Sequence, residues 1–170
     1  MMTLRTTRLL LRPPADDDAL AFAEMHADPE VAQYLVGGAP ALVDADIAWR
    51  NIAMLVGHWQ LRGFGSWVVE EPDAGIVIGR VGFWQPPSWA DVELTWLIRR
   101  SHWGHGFATE AAHRAMDWLR TETRIDRVIS LIHPDNSRSL RVASKLGQTH
   151  AATREIAGVV HHEYGVTLTR

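Results

Sequence analysis

The segment with the clearest chemical content is Arg99-Arg100-Ser101-His102-Trp103-Gly104-His105-Gly106-Phe107-Ala108-Thr109-Glu110, which follows a strand-like run and opens a helical one. The first N–H groups of a helix have no acceptor within it. Together with the helix dipole they favour an anion such as phosphate. Gly104 and Gly106 let the backbone approach that anion closely and take positive φ. No Lys-Ser/Thr pair follows, so the segment is not a P-loop, and Thr109 stands where a nicotinamide-type GxGxxG needs its third glycine. The competing reading is a sharp strand-to-helix turn without a ligand. On the preceding strand Glu93 lies between Val92 and Leu94, and β alternation puts it on one face with Thr95 and Leu97. A carboxylate there can accept a proton, or it can be a solvated or structurally paired group. Farther on, Asn136 and Ser139 open the last helix, where both residue types also serve as caps.

Composition removes other chemistries. The chain has no cysteine, which excludes disulfides, thiolate nucleophiles and cysteine zinc sites. Its nine histidines include His102, His105 and the pair His161-His162, but no HExxH or other ligand spacing occurs, so no metal site is expected. Seventeen basic against 20 acidic residues give a net charge of −3, without the basic footprint of a nucleic-acid binder. Arg5, Arg8 and Arg12 interrupt the N-terminal apolar residues, so no signal peptide is read. No apolar run approaches the roughly 18 residues of a membrane span. A cytoplasmic protein with no membrane partner is expected.

The elements that must hold these groups follow from periodicity and breakers. Thr6–Arg12 reads as a strand stopped by Pro13-Pro14, and Asp16-Asp17-Asp18 opens a helix running to about Ala27. A short helix spans Pro29–Leu35 and ends at Gly37-Gly38. A longer one spans Asp44–Leu61, with Ile47, Ile52, Leu55, Val56 and Trp59 at helical spacing. Strands are predicted over Gly65–Glu70, Ile76–Trp84 and Val92–Ile98, with a turn at Asp73-Ala74-Gly75. The helix over Gly104–Thr121 places Phe107, Ala111, Ala115 and Trp118 on one face. A strand over Val128–His133, a helix over Ser137–Leu146 closed by Gly147, and strands over Thr149–Ile156 and His162–Thr169 complete the chain. The fold class is α/β, a central mixed sheet of about seven strands flanked by helices. The 170 residues are 46% hydrophobic, which suits one domain spanning 1–170.

Several pieces occur in one order: Trp103-Gly104-His105-Gly106-Phe107-Ala108-Thr109-Glu110-Ala111, then Asn136-Ser137-Arg138-Ser139, then Lys145-Leu146-Gly147. With Thr7-Arg8-Leu9-Leu10-Leu11-Arg12 at the start and Tyr164-Gly165-Val166-Thr167-Leu168 at the end, they resemble the GNAT superfamily of N-acetyltransferases, most closely its RimJ/RimL-like branch. The resemblance covers nearly the whole chain and implies acetyl-CoA as donor. It would seat the pyrophosphate on the amides of Gly104, His105, Gly106, Phe107, Ala108 and Thr109. It would pair the pantetheine arm with the backbone of Trp96, Leu97 and Ile98, and set Asn136 against the pantetheine or the acetyl-bearing end. Two positions depart from the pattern. Ser101 stands where Gln or Arg is common, leaving Arg99, Arg100 or His102 as substitutes, and Gln148 replaces an aromatic residue.

An amine acceptor is protonated at neutral pH and must lose a proton before it attacks, and the departing thiolate must gain one or be stabilised. The resemblance makes Glu93 the candidate base and Ser139 the candidate acid near the sulfur. Without a cysteine to carry an acyl group, direct transfer in a ternary complex is expected. The acceptor is a protein N-terminus or a free small-molecule amine, and a coenzyme-binding regulatory module without turnover is the alternative in class. By resemblance Trp49, Trp59, Trp84 and Trp89 fall in segments facing the acceptor, where packing is the competing role, and after Glu93 the next candidates for the proton are His133, otherwise a strand-end histidine, and an ordered water. Small enzymes of this branch are often dimers, so the resemblance leaves a homodimer open, and the sequence itself does not fix the oligomeric state.

Overall fold

The computed structural model describes residues 1–35 and 44–169. In chain order the elements are β1 (Leu4–Arg5), β2 (Leu10–Arg12), α1 (Asp18–Ala27), α2 (Pro29–Ala32), α3 (Ala45–Arg62), β3 (Ser66–Glu71), β4 (Ile76–Trp84) and β5 (Val92–Ile98). A 3-10 turn (Arg100–His102) leads into α4 (Phe107–Glu122), then β6 (Arg127–Ile132), α5 (Ser137–Lys145), β7 (Thr149–Ile156) and β8 (Val159–Thr167). The strands form one sheet in the order β1-β2-β3-β4-β5-β6-β8-β7. Among the described residues only β5 and β6 pair in parallel; the other pairings are antiparallel.

The sheet has eight strands, one more than expected, because Thr6–Arg12 is not one strand. The backbone turns at Thr6–Leu9, so that Leu4 pairs with Leu11 and Arg5 with Leu10. The Thr6 hydroxyl accepts from the Leu9 amide at 2.9 Å and donates to Glu110 at 2.5 Å. A carboxylate on α4, far along the chain, thus bends a segment whose own residues favour extension. The second helix stops at Ala32 instead of Leu35. The expected stop at Gly37-Gly38 lies outside the described residues. The last strand starts at Val159, earlier than expected, because Ala157 (φ 50°) and Gly158 (φ 79°) make a two-residue hairpin turn between Ile156 and Val159.

Helices cover both faces of the central strands. Ser66, Trp67, Val68 and Val69 of β3 are therefore all buried, without alternation. On one face α1 and α3 bring Phe22, Met25, Ala48, Ile52 and Leu55 onto Val68 and Leu97. On the other, α4 lays Phe107, Ala111, Ala112, Ala115 and Leu119 against Ile78, Val81, Leu94 and Ile98. Trp59, Trp67 and Trp118 meet edge to face, with centroids 4.8 to 5.4 Å apart, tying α3, β3 and α4 together. Among the described residues, no helix is long and apolar enough to cross a membrane.

Candidate functional site

The site begins at a fork in the sheet. Parallel strands β5 and β6 pair only at Val92↔Val128 and Glu93↔Ile129. Beyond that point β5 continues beside β4 and β6 beside β8, so the two strands part and the β5 edge from Thr95 to Ile98 has no strand partner among the described residues. Ser130 props the fork open: its hydroxyl donates to Leu94 O at 2.8 Å and accepts from Gln148 Nε2 at 3.0 Å. Buried Gln148 is therefore a polar strut, which explains why an aromatic residue is absent there. A cavity of about 790 Å³ fills the fork.

The glycine turn forms one end of the cavity. Gly104 (φ 83°) and Gly106 (φ 82°) occupy the left-handed region, and Gly106 is the N-cap of α4 without a side-chain hydrogen bond. The amides of Phe107, Ala108 and Thr109 thus start the helix uncapped. A Cβ at Gly104 would meet nothing within 4 Å, and one at Gly106 would meet only Arg8 Nη2 at 3.8 Å, so the space before these amides is open. The N-terminal hairpin fixes the turn from behind: Arg8 donates to His105 O at 3.1 Å and to Glu110 at 2.8 Å, and its guanidinium lies 4.5 Å from the Phe107 ring. Burial alone would raise the Glu110 carboxyl, but hydrogen bonds from Thr6 and Arg8 outweigh it and hold Glu110 below its ordinary range.

Of the three proposed substitutes for Ser101, only His102 lines the cavity. Arg99 pairs with Glu24, and Arg100 with Asp28 and Glu30, on the side of α1 and α2. From α5, Arg138, Arg141 and Lys145 bring positive charge to the cavity. Arg138 also stacks 4.2 Å from the Trp103 ring.

Asn136 and Ser139 meet across the first turn of α5. Asn136 is the helix cap, its Oδ1 accepting from the Ser139 amide at 3.1 Å. The Ser139 hydroxyl accepts from Trp96 Nε1 at 3.2 Å and keeps its own hydrogen to donate. Both residues line the cavity, as do Trp96, Leu97, Ile98, Gly104, Gly106, Phe107, Ala108 and Thr109. Of the residues expected at the coenzyme, His105 alone is not a lining residue; it stacks on Phe107 and gives its carbonyl to Arg8.

Glu93 occupies the last paired position before the strands part, and its side chain lines the cavity. Burial pushes its carboxyl up to about 7, against the opposing charge of Arg80 and the backbone at Leu131. A carboxylate with that affinity can gain and lose a proton near neutral pH. Trp84 and Trp89 line the same cavity, but Trp59 is a core residue, and exposed Trp49 donates to Asp16 instead of facing it. His133 lies at the cavity, stacked on Tyr34 at 5.1 Å. Among the described residues no three His, Asp or Glu side chains converge as a metal site.

Sequence reading missed Arg80, Asn51 and His26, which all line the cavity. The signal for Arg80 was available, since it is the one charged residue in the apolar run Ile76–Trp84. Asn51 and His26 sit on helices whose periodicity reads as ordinary amphipathic packing.

A family model described as an acetyltransferase (GNAT) domain matches residues 8–149. The uncharacterized N-acetyltransferase p20 of Bacillus licheniformis is 31% identical over 150 residues, covering 86% of this chain and 82% of p20. The solved acetyltransferase from Agrobacterium tumefaciens str. C58 is 29% identical and superposes with a TM-score of 0.84, covering 98% of this chain and 94% of that one. RimL, the ribosomal L7/L12 alpha-N-protein acetyltransferase solved in complex with coenzyme A, shares the fold with a TM-score of 0.84 over 98% of both chains at 15% identity.

Proposed function

This chain belongs to the GNAT acetyltransferase family, and we propose that its residues 1–170 form one catalytic unit that moves the acetyl group of acetyl-CoA directly onto a primary amine beside Glu93. Family membership makes the chain an acetyl-CoA-dependent enzyme, not a binding module without turnover. The observation that carries the proposal is the placing of Glu93 at the fork, where a carboxylate with raised proton affinity meets the unpartnered edge of β5.

The residues present fit the coenzyme. The open space before Gly104 and Gly106 and the uncapped α4 amides suit its phosphates, with Arg138, Arg141 and Lys145 nearby. The free backbone of Trp96, Leu97 and Ile98 suits the amides of the pantetheine arm. Acetyl-CoA supplies the activated acyl carbon and a sulfur leaving group. Glu93 takes the proton that the amine must lose, directly or through a water. Ser139 donates its hydroxyl hydrogen toward the sulfur that leaves, and Trp96 fixes that hydroxyl. Asn136 has its oxygen committed to the cap and retains its amide N–H groups for the pantetheine.

Release of free coenzyme A from acetyl-CoA, measured across a panel of amines and peptides with different N-termini, tests the proposal. Binding of acetyl-CoA with no turnover across the panel would refute it. Ser139→Ala is expected to lower kcat by about 10- to 100-fold, the value of one hydrogen bond to a charged group, with the KM for acetyl-CoA within about threefold. Trp96 also loses its acceptor, so the melting temperature should fall slightly. A variant that loses only thermal stability would reduce the hydroxyl to a partner for Trp96. Asn136→Ala is expected to show the opposite split, a raised KM for acetyl-CoA and a smaller change in kcat.

A further inference from the structure

We infer that the acceptor carries an anionic group, a carboxylate or similar oxyanion, within a few bonds of its amine, and that Arg80 binds this group while Glu93 faces the amine. The inference rests on the acceptor site proposed above and names what fills it.

The register of β4 and β5 places Arg80 opposite Leu97, Gly82 opposite Thr95 and Trp84 opposite Glu93. Arg80, Thr95 and Glu93 therefore share one sheet face, the face on which Leu97 packs against α1 and α3. The glycine turn sends α4 across the other face, so Arg80 is not part of the phosphate cradle. Its side chain leans along the strand toward Glu93, with Nη1 donating to Thr95 Oγ1 at 3.0 Å.

Among the described residues no carboxylate neutralises Arg80, although it sits in the cavity beside Glu93. Its Nε is buried without an acceptor among the described residues, and no described carboxylate reaches ion-pair distance. Three other partly buried arginines each have a carboxylate partner, Arg99 with Glu24 among them. Arg12 is held by Asp18 and Glu70, and Arg127 by Asp91 and Glu163. Glu30, the other carboxylate at this cavity, is already paired with Arg100 and Arg138. A desolvated guanidinium without a counter-ion is unfavourable, and its planar fork suits an oxyanion.

Arg80 and Glu93 thus form a plus and a minus on one wall, near enough to affect each other and too far apart to pair. A small zwitterion fits that gap with its ammonium at Glu93 and its oxyanion at Arg80. A polyamine does not, because its second cation would meet Arg80 and find no free carboxylate among the described lining residues. In the reaction Glu93 accepts the amine proton, the nitrogen lone pair forms the C–N bond, and the C–S electron pair leaves with sulfur. The oxyanion is unchanged throughout.

The test measures coenzyme A release with free amino acids and other small amino-carboxylates against their carboxamides and against spermidine. A charge-assisted contact predicts that carboxylates exceed carboxamides by about 10- to 100-fold in kcat/KM. Arg80→Gln should bring that ratio close to one, and Arg80→Lys should restore part of it. Acetyl-CoA affinity by calorimetry, within about threefold of wild type, confirms that the variants are folded. Carboxamides or spermidine turned over as well as carboxylates by the wild type would overturn the inference and leave acetyl transfer standing, as would a ratio unchanged in Arg80→Gln. If the enzyme binds acetyl-CoA but turns over no amine in the panel, the inference and the proposed function fall together.

Discussion

Glu93→Gln is expected to lower kcat by about 10²- to 10⁴-fold, the usual contribution of a positioned general base, while acetyl-CoA affinity stays within about threefold. The substitution keeps the shape and removes the proton acceptor. The coenzyme's phosphates are assigned to the turn beyond β5, so their binding should not register the change. The pH profile carries the sharper test. Burial pushes Glu93 up to about 7, so wild-type activity should climb as pH rises through about 7, where the carboxylate forms. In Glu93→Gln the break near 7 should disappear, and the residual rate should instead follow the free-amine fraction, rising about tenfold per pH unit up to the amine's own pKa.

Stability gives an independent reading with a fixed sign. The folded protein keeps the Glu93 proton up to about 7, whereas the unfolded chain releases it near the ordinary 4.5. Between those values the folded state binds more protons, so this group costs stability as pH rises, and the cost is complete above about 7. Glutamine has no such cost. The melting temperature of Glu93→Gln, relative to wild type, should therefore be higher at about pH 8 than at about pH 5. An unchanged rate and profile would move the base elsewhere, with His133, which lines the same cavity, or an ordered water next in line.

Much of this site was legible in the sequence because its parts are local. The boundaries of β4 and β5 match the sequence reading: their apolar runs are long and lie between the Asp73–Gly75 turn and Arg99. The α4 face of Phe107, Ala111, Ala115 and Trp118 is buried as its spacing required. What escaped depends on partners distant in sequence. Glu110 bends Thr6–Leu9, and no local preference at Thr6 reveals it. Gln148 reads only as a replaced aromatic residue because its partner, Ser130, is 18 residues away on β6. Tryptophan is the extreme case: Trp59 and Trp84 are alike in type and neighbourhood, yet one joins the aromatic core and the other lines the cavity. Arg80 was readable as a charge in an apolar strand, but only the register with β5 puts it on the face of Glu93.

Gly106→Val should weaken acetyl-CoA binding by about 10²- to 10⁴-fold, the equivalent of losing two charge-assisted hydrogen bonds at about 1.5–3 kcal/mol each. The backbone at Gly106 has φ 82°, and its Cβ position is open except for Arg8 Nη2 at 3.8 Å. The protein itself therefore leaves room for a side chain, and that room is what a phosphate needs to reach the amides of Phe107, Ala108 and Thr109. Valine has a second effect, because the left-handed conformation costs a non-glycine residue roughly 1–2 kcal/mol. Two controls separate strain from occlusion. Gly106→Ala carries the strain with little bulk and should bind more tightly than Gly106→Val. S-acetylpantetheine has no pyrophosphate, so its affinity for Gly106→Val should match that for wild type. Gly104→Val should behave in the same way, since a Cβ there meets nothing within 4 Å. Calorimetry with both ligands decides. An unchanged acetyl-CoA affinity in folded Gly106→Val would remove the phosphates from this turn, and an equal loss for both ligands would show that the substitution distorts α4 and the fork instead of blocking an anion.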